Sequence, residues 1–164
     1  MRHDNRMLCV AILAAAVSGA GCGRSDDELR SMMREEAVKA FTRSYVTSTQ
    51  VIGPYSPAVR SGPFLFVSGQ IGIDPVTTNL VSEDLEVQTR QALTNLAHVL
   101  HEAGYDSAQV VQCTVYLKDM KDFQKMNLIY GGFFVEGKYP ARTTVEVASL
   151  PKNAKIEIAA IAIK

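Results

Sequence analysis

Arg142, Glu146 and Glu157 lie within a stretch of the chain rich in small and apolar residues, and these are residue types that can do chemistry. A guanidinium presents a planar fork of donors that matches a small carboxylate. A carboxylate held near it can orient or deprotonate water. Charges in such a setting are costly unless they are paired or meet a ligand. An ion pair of purely structural use answers the same need, and the residues alone leave both readings open. Other candidates are weaker. Ser68, Gly69 and Gly72 surround Gln70 and suggest either amides of Ser68 and Gly69 turned to a ligand or simply a kinked strand. Asn127 falls on or beside an apolar helical stripe, where its amide needs a partner. His98 and His101 are three apart on a helix, half of a metal site with no third ligand near, so no metal is expected. His3 is the only other histidine, which makes a His-based triad hard to build. Cys113 has neither a His nor a cation as a sequence neighbour and reads as a small buried hydrophobe.

The elements that must position these residues follow from periodicity. Residues 140–164 read as two strands around a turn at Pro151 and Asn153. In the first, Arg142, Thr144 and Glu146 alternate with Thr143, Val145 and Val147. In the second, both faces are apolar past Glu157, which predicts a strand buried on both sides. If the two strands pair directly, Glu157 lies nearer Glu146 than Arg142, and a ligand shared by Arg142 and Glu157 then calls for a second subunit. Residues 44–50 and 64–68 are predicted strands. The spacing of Leu85, Ala92, Leu93, Leu96, Val99 and Leu100 predicts a helix over 83–103, with Gly104 at its C-terminal cap. A strand follows over 110–117, with Val111, Cys113, Val115 and Leu117 on one face. A second helix starts at the N-cap candidate Asp119 and runs through Phe123, Met126, Tyr130 and Phe133. This order predicts an α+β domain with helices packed on one face of a sheet.

The chain of 164 residues is long enough for one domain with a real core, and its net charge of zero gives no basic stripe for nucleic acid. Cys9 and Cys22 precede the domain, so the three cysteines do not form a disulfide framework. Residues 1–24 have the three parts of an export signal. Arg2 and Arg6 come first, then an apolar run over 7–17 that is too short to span a bilayer, then Ser18, Gly19, Ala20 and Gly21. Cleavage after Ala20 would yield a soluble exported protein. Cys22 behind these small residues resembles a bacterial lipoprotein signal and is a candidate for lipidation and membrane anchoring, although Gly19 stands where Leu is usual. The alternative is an uncleaved extension on a cytoplasmic protein. Residues 25–44 read as a charged helical spacer in which Ser25 and Glu28 form a capping box.

IGPYSPAV at 52–59, FVSGQIGID at 66–74, VYLKDMKDFQKMN at 115–127 and YPARTTVEVASLPKNAKIEIAAIAI at 139–163 together resemble the RidA (YjgF-like) family of reactive intermediate deaminases. The resemblance covers residues 45–164. It implies a chorismate-mutase-like (YjgF-like) α+β fold with a mixed sheet, assembled as a homotrimer with clefts between subunits. It implies hydrolysis of 2-imino acids such as 2-iminobutanoate and 2-iminopropanoate to 2-oxo acids and ammonia, without cofactor, metal or covalent nucleophile. The family's carboxylate-binding Arg falls on Arg142 and its water-positioning acid on Glu157. Its cleft-lining Tyr, Ser and Gly fall on Tyr55, Ser68 and Gly69, and Asn127 also matches a characteristic position. The sequence departs from the family with Thr144 where Cys is frequent, Pro57 where Gln is common and Ala159 where a second Glu is common, which leaves substrate preference open. Two rivals remain. One is non-catalytic binding of small carboxylates in the intersubunit cleft; the other is a protein-interaction or chaperone-like role. The ribonuclease or translation-inhibitor activity attributed to some members fits least, for want of a basic patch or an obvious catalytic His.

Overall fold

The structure, a computed structural model, describes residues 25–47 and 51–164. The expected export leader and Cys22 lie outside the described residues, as do positions 48–50 of the first predicted strand. Among the described residues no helix is long and apolar enough to cross a membrane.

The chain divides into two units, residues 1–39 and 40–164. The helix α1, Asp26–Ala40, forms as its capping box predicts: the Ser25 amide donates to Glu28 Oε2 at 2.9 Å and the Glu28 amide to Ser25 Oγ at 3.3 Å. Asp26, Asp27 and Glu28 occupy its first turn, where the helix dipole favours anions.

The second unit is a six-stranded sheet with helices on one face. Its strands are β1 (Arg43–Val46), β2 (Ala58–Ser61), β3 (Phe64–Ile71), β4 (Val110–Leu117), β5 (Ala141–Glu146) and β6 (Ile156–Ile163). Their spatial order is β1-β2-β3-β6-β4-β5. Only β4 and β5 are parallel, joined by a crossover through the helix α3, Phe123–Gly131. The longer helix α2, Leu85–Glu102, lies against β3 and β6, with α3 beside it. Asp84 caps α2 by accepting from the Glu86 and Val87 amides. Gly104 stands just past its end at φ 79°, a conformation a side chain would strain. The core between sheet and helices holds Leu65, Leu96, Leu100, Cys113, Val115, Leu117, Met126, Ile156 and Ile158, all fully buried. Truncating Ile156 or Ile158 to Ala would cost about 2–5 kcal/mol.

Three sequence expectations are corrected here. First, β5 and β6 are not a hairpin. The strand β4 lies between them, pairing Cys113 with Arg142 on one side and with Ala160 on the other. Period-2 alternation identifies a strand and its faces but not its neighbour, and β6 is apolar enough to take a central place. Second, β6 is not buried on both sides. Ile156, Ile158, Ala160 and Ala162 face the helices and are buried. Glu157, Ala159 and Ile161 are half-buried, and Ile163 is exposed. Phe64, Phe66 and Val145 are also exposed on that second face, and the rings of Phe64 and Phe66 stack at 6.2 Å. Third, Val111 is exposed, because the β4–β6 register shifts between Val110 and Gln112 and Val110 takes the core position instead.

Candidate functional site

Two registers decide where the candidate residues point. Arg142 lies opposite Cys113 and Thr144 opposite Val115, so both face the helices. Glu157 lies opposite Tyr116, one position out of step with that row, and faces the other side of the sheet. Within one chain, then, Arg142 and Glu157 are on opposite faces.

On the helix face, Phe123, Asn127 and Tyr130 lie along one stripe of α3 at i, i+4 and i+7. The Arg142 guanidinium carbon stands 4.6 Å from the centre of the Tyr130 ring and 5.6 Å from that of Phe123. Asn127 Oδ1 and Thr144 Oγ1 are buried atoms without a hydrogen-bond partner among the described residues, and the buried Tyr130 hydroxyl has only the weak acceptor of the Cys113 thiol beside it. Buried polar atoms in native proteins are ordinarily satisfied, so the unpartnered oxygens of Asn127 and Thr144, on the sheet face that Arg142 shares, make this face a candidate receptor. Burial pushes the Tyr130 phenol well above the usual range; the neighbouring Cys113 thiol pushes the same way, and Arg142 opposes them. Burial likewise raises the Cys113 thiol, against the opposing influence of Tyr130 and Arg142, which keeps it a neutral core group as expected. Arg142 has no carboxylate within 4 Å among the described residues. Glu146, the partner that a structural ion pair would use, instead accepts the Met120 amide at 2.7 Å, at the start of the 3-10 turn ahead of α3.

On the other face, a cavity of about 470 Å³ is lined by Ile52, Pro54, Tyr55, Ser68, Gly69 and Glu157, among others. The register of β3 against β6 slips between Val67 and Gln70, a bulge that sets Ser68 and Gly69 out of the ladder. Ser68 is engaged with the loop rather than turned to a ligand: its amide donates to the Pro57 carbonyl at 3.0 Å and its hydroxyl to the Ser56 carbonyl at 2.7 Å. The reading of the Ser68 amide as a ligand donor therefore gives way to a structural one, in which Ser68 ties down the loop that carries Tyr55. Gly69 is required sterically. A Cβ there would stand 1.7 Å from Glu157 Oε1 and 2.7 Å from its Cγ. Glu157 thus lies on the glycine, and burial raises its pKa above that of an ordinary carboxylate. Gly69→Ala is expected to displace the Glu157 side chain while leaving the sheet intact. Circular dichroism should be unchanged, and any function that needs the Glu157 carboxylate should fall at least tenfold.

The predicted residues therefore fall into two clusters, Arg142, Asn127 and Thr144 on one face and Tyr55, Ser68, Gly69 and Glu157 on the other. His98 and His101 are both exposed on α2, and no metal-binding group of side chains occurs among the described residues. Tyr130 and Phe123 were missed as site residues. The available signal was that two aromatics flank Asn127 on its own helical stripe.

The family model described as Endoribonuclease L-PSP matches residues 46–164, most of the chain. The chain belongs to this family, that of the RidA/YjgF proteins. A RutC family protein of Pyrococcus horikoshii is 55% identical over 113 residues, 69% of this chain and 89% of that protein. The 2-iminobutanoate/2-iminopropanoate deaminase of Salmonella typhimurium is 45% identical over 115 residues, 69% of this chain and 89% of that protein. The RidA-family fold is matched by the crystal structure of the YjgF gene product from E. coli, with a TM-score of 0.69 and 40% identity over 75% of this chain and 99% of that one. The mixed sheet with helices on one face is the fold of these RidA/YjgF structures.

Proposed function

We propose that the chain hydrolyses 2-imino acids to 2-oxo acids and ammonia in a cleft built from two copies of itself, with Arg142 of one and Glu157 of the next. The observation that carries this reading is the pair of half-sites. One has a guanidinium with no carboxylate partner among the described residues, on the face that carries the unpartnered oxygens of Asn127 and Thr144, and the other has a carboxyl of raised pKa in an open cavity. A head-to-tail contact between copies brings unlike faces together and closes into a ring, here a homotrimer, which would also cover the exposed Phe64, Phe66 and Ile163. Relatives named as imine deaminases support the same chemistry.

In this reading Arg142 holds the substrate carboxylate, with Thr144 and Asn127 completing the receptor. Water adds to the carbon of the protonated imine as Glu157 takes one of its protons, giving a carbinolamine. Glu157 returns that proton to nitrogen, the C–N bond breaks, and the carbinol proton leaves with ammonia as ammonium. Most of the acceleration comes from holding the imine carbon against the water. The raised pKa of Glu157 makes its carboxylate a stronger base than an ordinary one, and activity falls as the pH drops through it because the protonated acid cannot accept from water. A ribonuclease activity has less support, since a chain of zero net charge has no overall attraction for a polyanion.

The test is ammonia release from 2-iminobutanoate and 2-iminopropanoate generated in situ by an amino-acid oxidase. Turnover supports the proposal. A folded protein that binds 2-oxobutanoate without turning over either imine would be a carboxylate-binding protein instead. The export signal at residues 1–24, with Cys22 as lipid anchor, stays part of the proposal. The intact mass of the protein from its native cells tests it, and an unprocessed Met1 would remove it.

A further inference from the structure

We infer that Tyr130, with Phe123 beside it, is the positioning residue for Arg142, an aromatic floor that orders the guanidinium without neutralising it. This rests on the reading of Arg142 as the carboxylate-binding group. An exposed arginine is ordinarily mobile, and an arginine that must seize an anion in two parallel hydrogen bonds loses that freedom on binding. An acidic neighbour would order it, but would also occupy its donors and cancel its charge. The structure has no such neighbour among the described residues, since Glu146 is engaged by the Met120 amide. Instead the guanidinium carbon lies within cation–π range of two rings, at 4.6 Å and 5.6 Å. The nearer ring is itself fixed. Tyr130 is 3% exposed and packs on Phe134 at 4.9 Å, and Phe134 meets Phe133 edge-on at 4.9 Å. A π-face attracts the cation from below and leaves the in-plane N–H donors unspent. The phenol stays protonated, so the floor never becomes a counter-ion.

The experiment has two arms on the full chain. In the first, the Arg142 Nε–Hε resonance of protein labelled with ¹⁵N-arginine, assigned by its loss in Arg142→Ala, is followed without ligand. A ring-current shift and restricted motion are expected in the native protein, lost in Tyr130→Leu and restored in Tyr130→Phe. In the second arm, binding of 2-oxobutanoate is measured across the double-mutant cycle of Tyr130→Leu and Arg142→Ala. Tyr130→Leu should weaken binding about tenfold when Arg142 is present and add nothing when it is absent. If the native protein does not bind 2-oxobutanoate, the carboxylate reading fails and the resonance still decides the role of Tyr130. If Tyr130→Leu does not fold, Phe123→Leu is read by the same resonance and should give a smaller loss of the shift. An unchanged Arg142 resonance in the folded variant overturns the inference. So does a tenfold binding loss that persists without Arg142, because Tyr130 would then act on the ligand or the fold and not through the guanidinium.

Discussion

Arg142→Ala is expected to lower kcat/KM for 2-iminobutanoate by roughly 100-fold or more while leaving the fold unchanged. The magnitude follows from truncating one partner of a hydrogen-bonded charge pair, which costs about 2–5 kcal/mol. The fold is spared because Arg142 is exposed at the edge strand β5 and makes no ion pair among the described residues. Both kinetic constants should change. KM rises because the carboxylate loses its anchor, and kcat falls because an unanchored imine carbon no longer meets the water held by Glu157. Arg142→Lys keeps the charge but loses the planar fork and its stacking on Tyr130, so it should recover only part of the loss. Steady-state kinetics beside a thermal melt reads all of this. An unchanged kcat/KM in Arg142→Ala would remove the carboxylate receptor, and with it the catalytic reading.

The second large effect is a recovery. Arg142→Ala and Glu157→Ala, each inactive alone, should regain activity when they assemble together. Arg142 and Glu157 face opposite sides of one sheet, so the proposed site has to draw them from different chains. In a ring of three that contains both chains, one of the three contacts unites an intact arginine face with an intact glutamate face, so about a third of native activity returns. The two chains, differently tagged, are co-expressed, and the doubly tagged species is purified and assayed. A mixed assembly with no activity would mean that both residues must come from one chain, against the register.

Much of the fold was legible because it is local. The helix α2 was readable from Leu85, Ala92, Leu93, Leu96, Val99 and Leu100, and its C-terminal end from Gly104, whereas the Asp84 cap at its start was not read. The limits of β4 were readable too. What stayed hidden was long-range. Nothing in the alternation of Arg142, Thr144 and Glu146 says that their strand runs parallel to β4, or that β6 lies across from both β3 and β4. The same gap hid the geometry of the site. Between Arg142 and Glu157 the chain passes a 3-10 turn at Pro151–Asn153, with Lys152 and Asn153 at positive φ, so parity along one strand cannot be carried to the next. Tyr130 was hidden for another reason. A tyrosine on an apolar helical stripe looks like core, and in burial it is core; only the guanidinium standing on its ring sets it apart.

The position of β6 has a consequence for how the protein comes into being. It is the last strand in the sequence, yet it is central, bonded to β3 on one side and β4 on the other, with the Lys164 amide closing on the Pro63 carbonyl at 3.0 Å. Until the ribosome has released Ile163, the nascent chain holds two disconnected ribbons, β1-β2-β3 and β4-β5, with the floor of the core missing between them. Folding must then wait until β6 has left the ribosome, and it proceeds through contacts far apart along the chain, the slow kind. Losing a few residues from an edge strand would trim such a domain, but losing them here would split it in two.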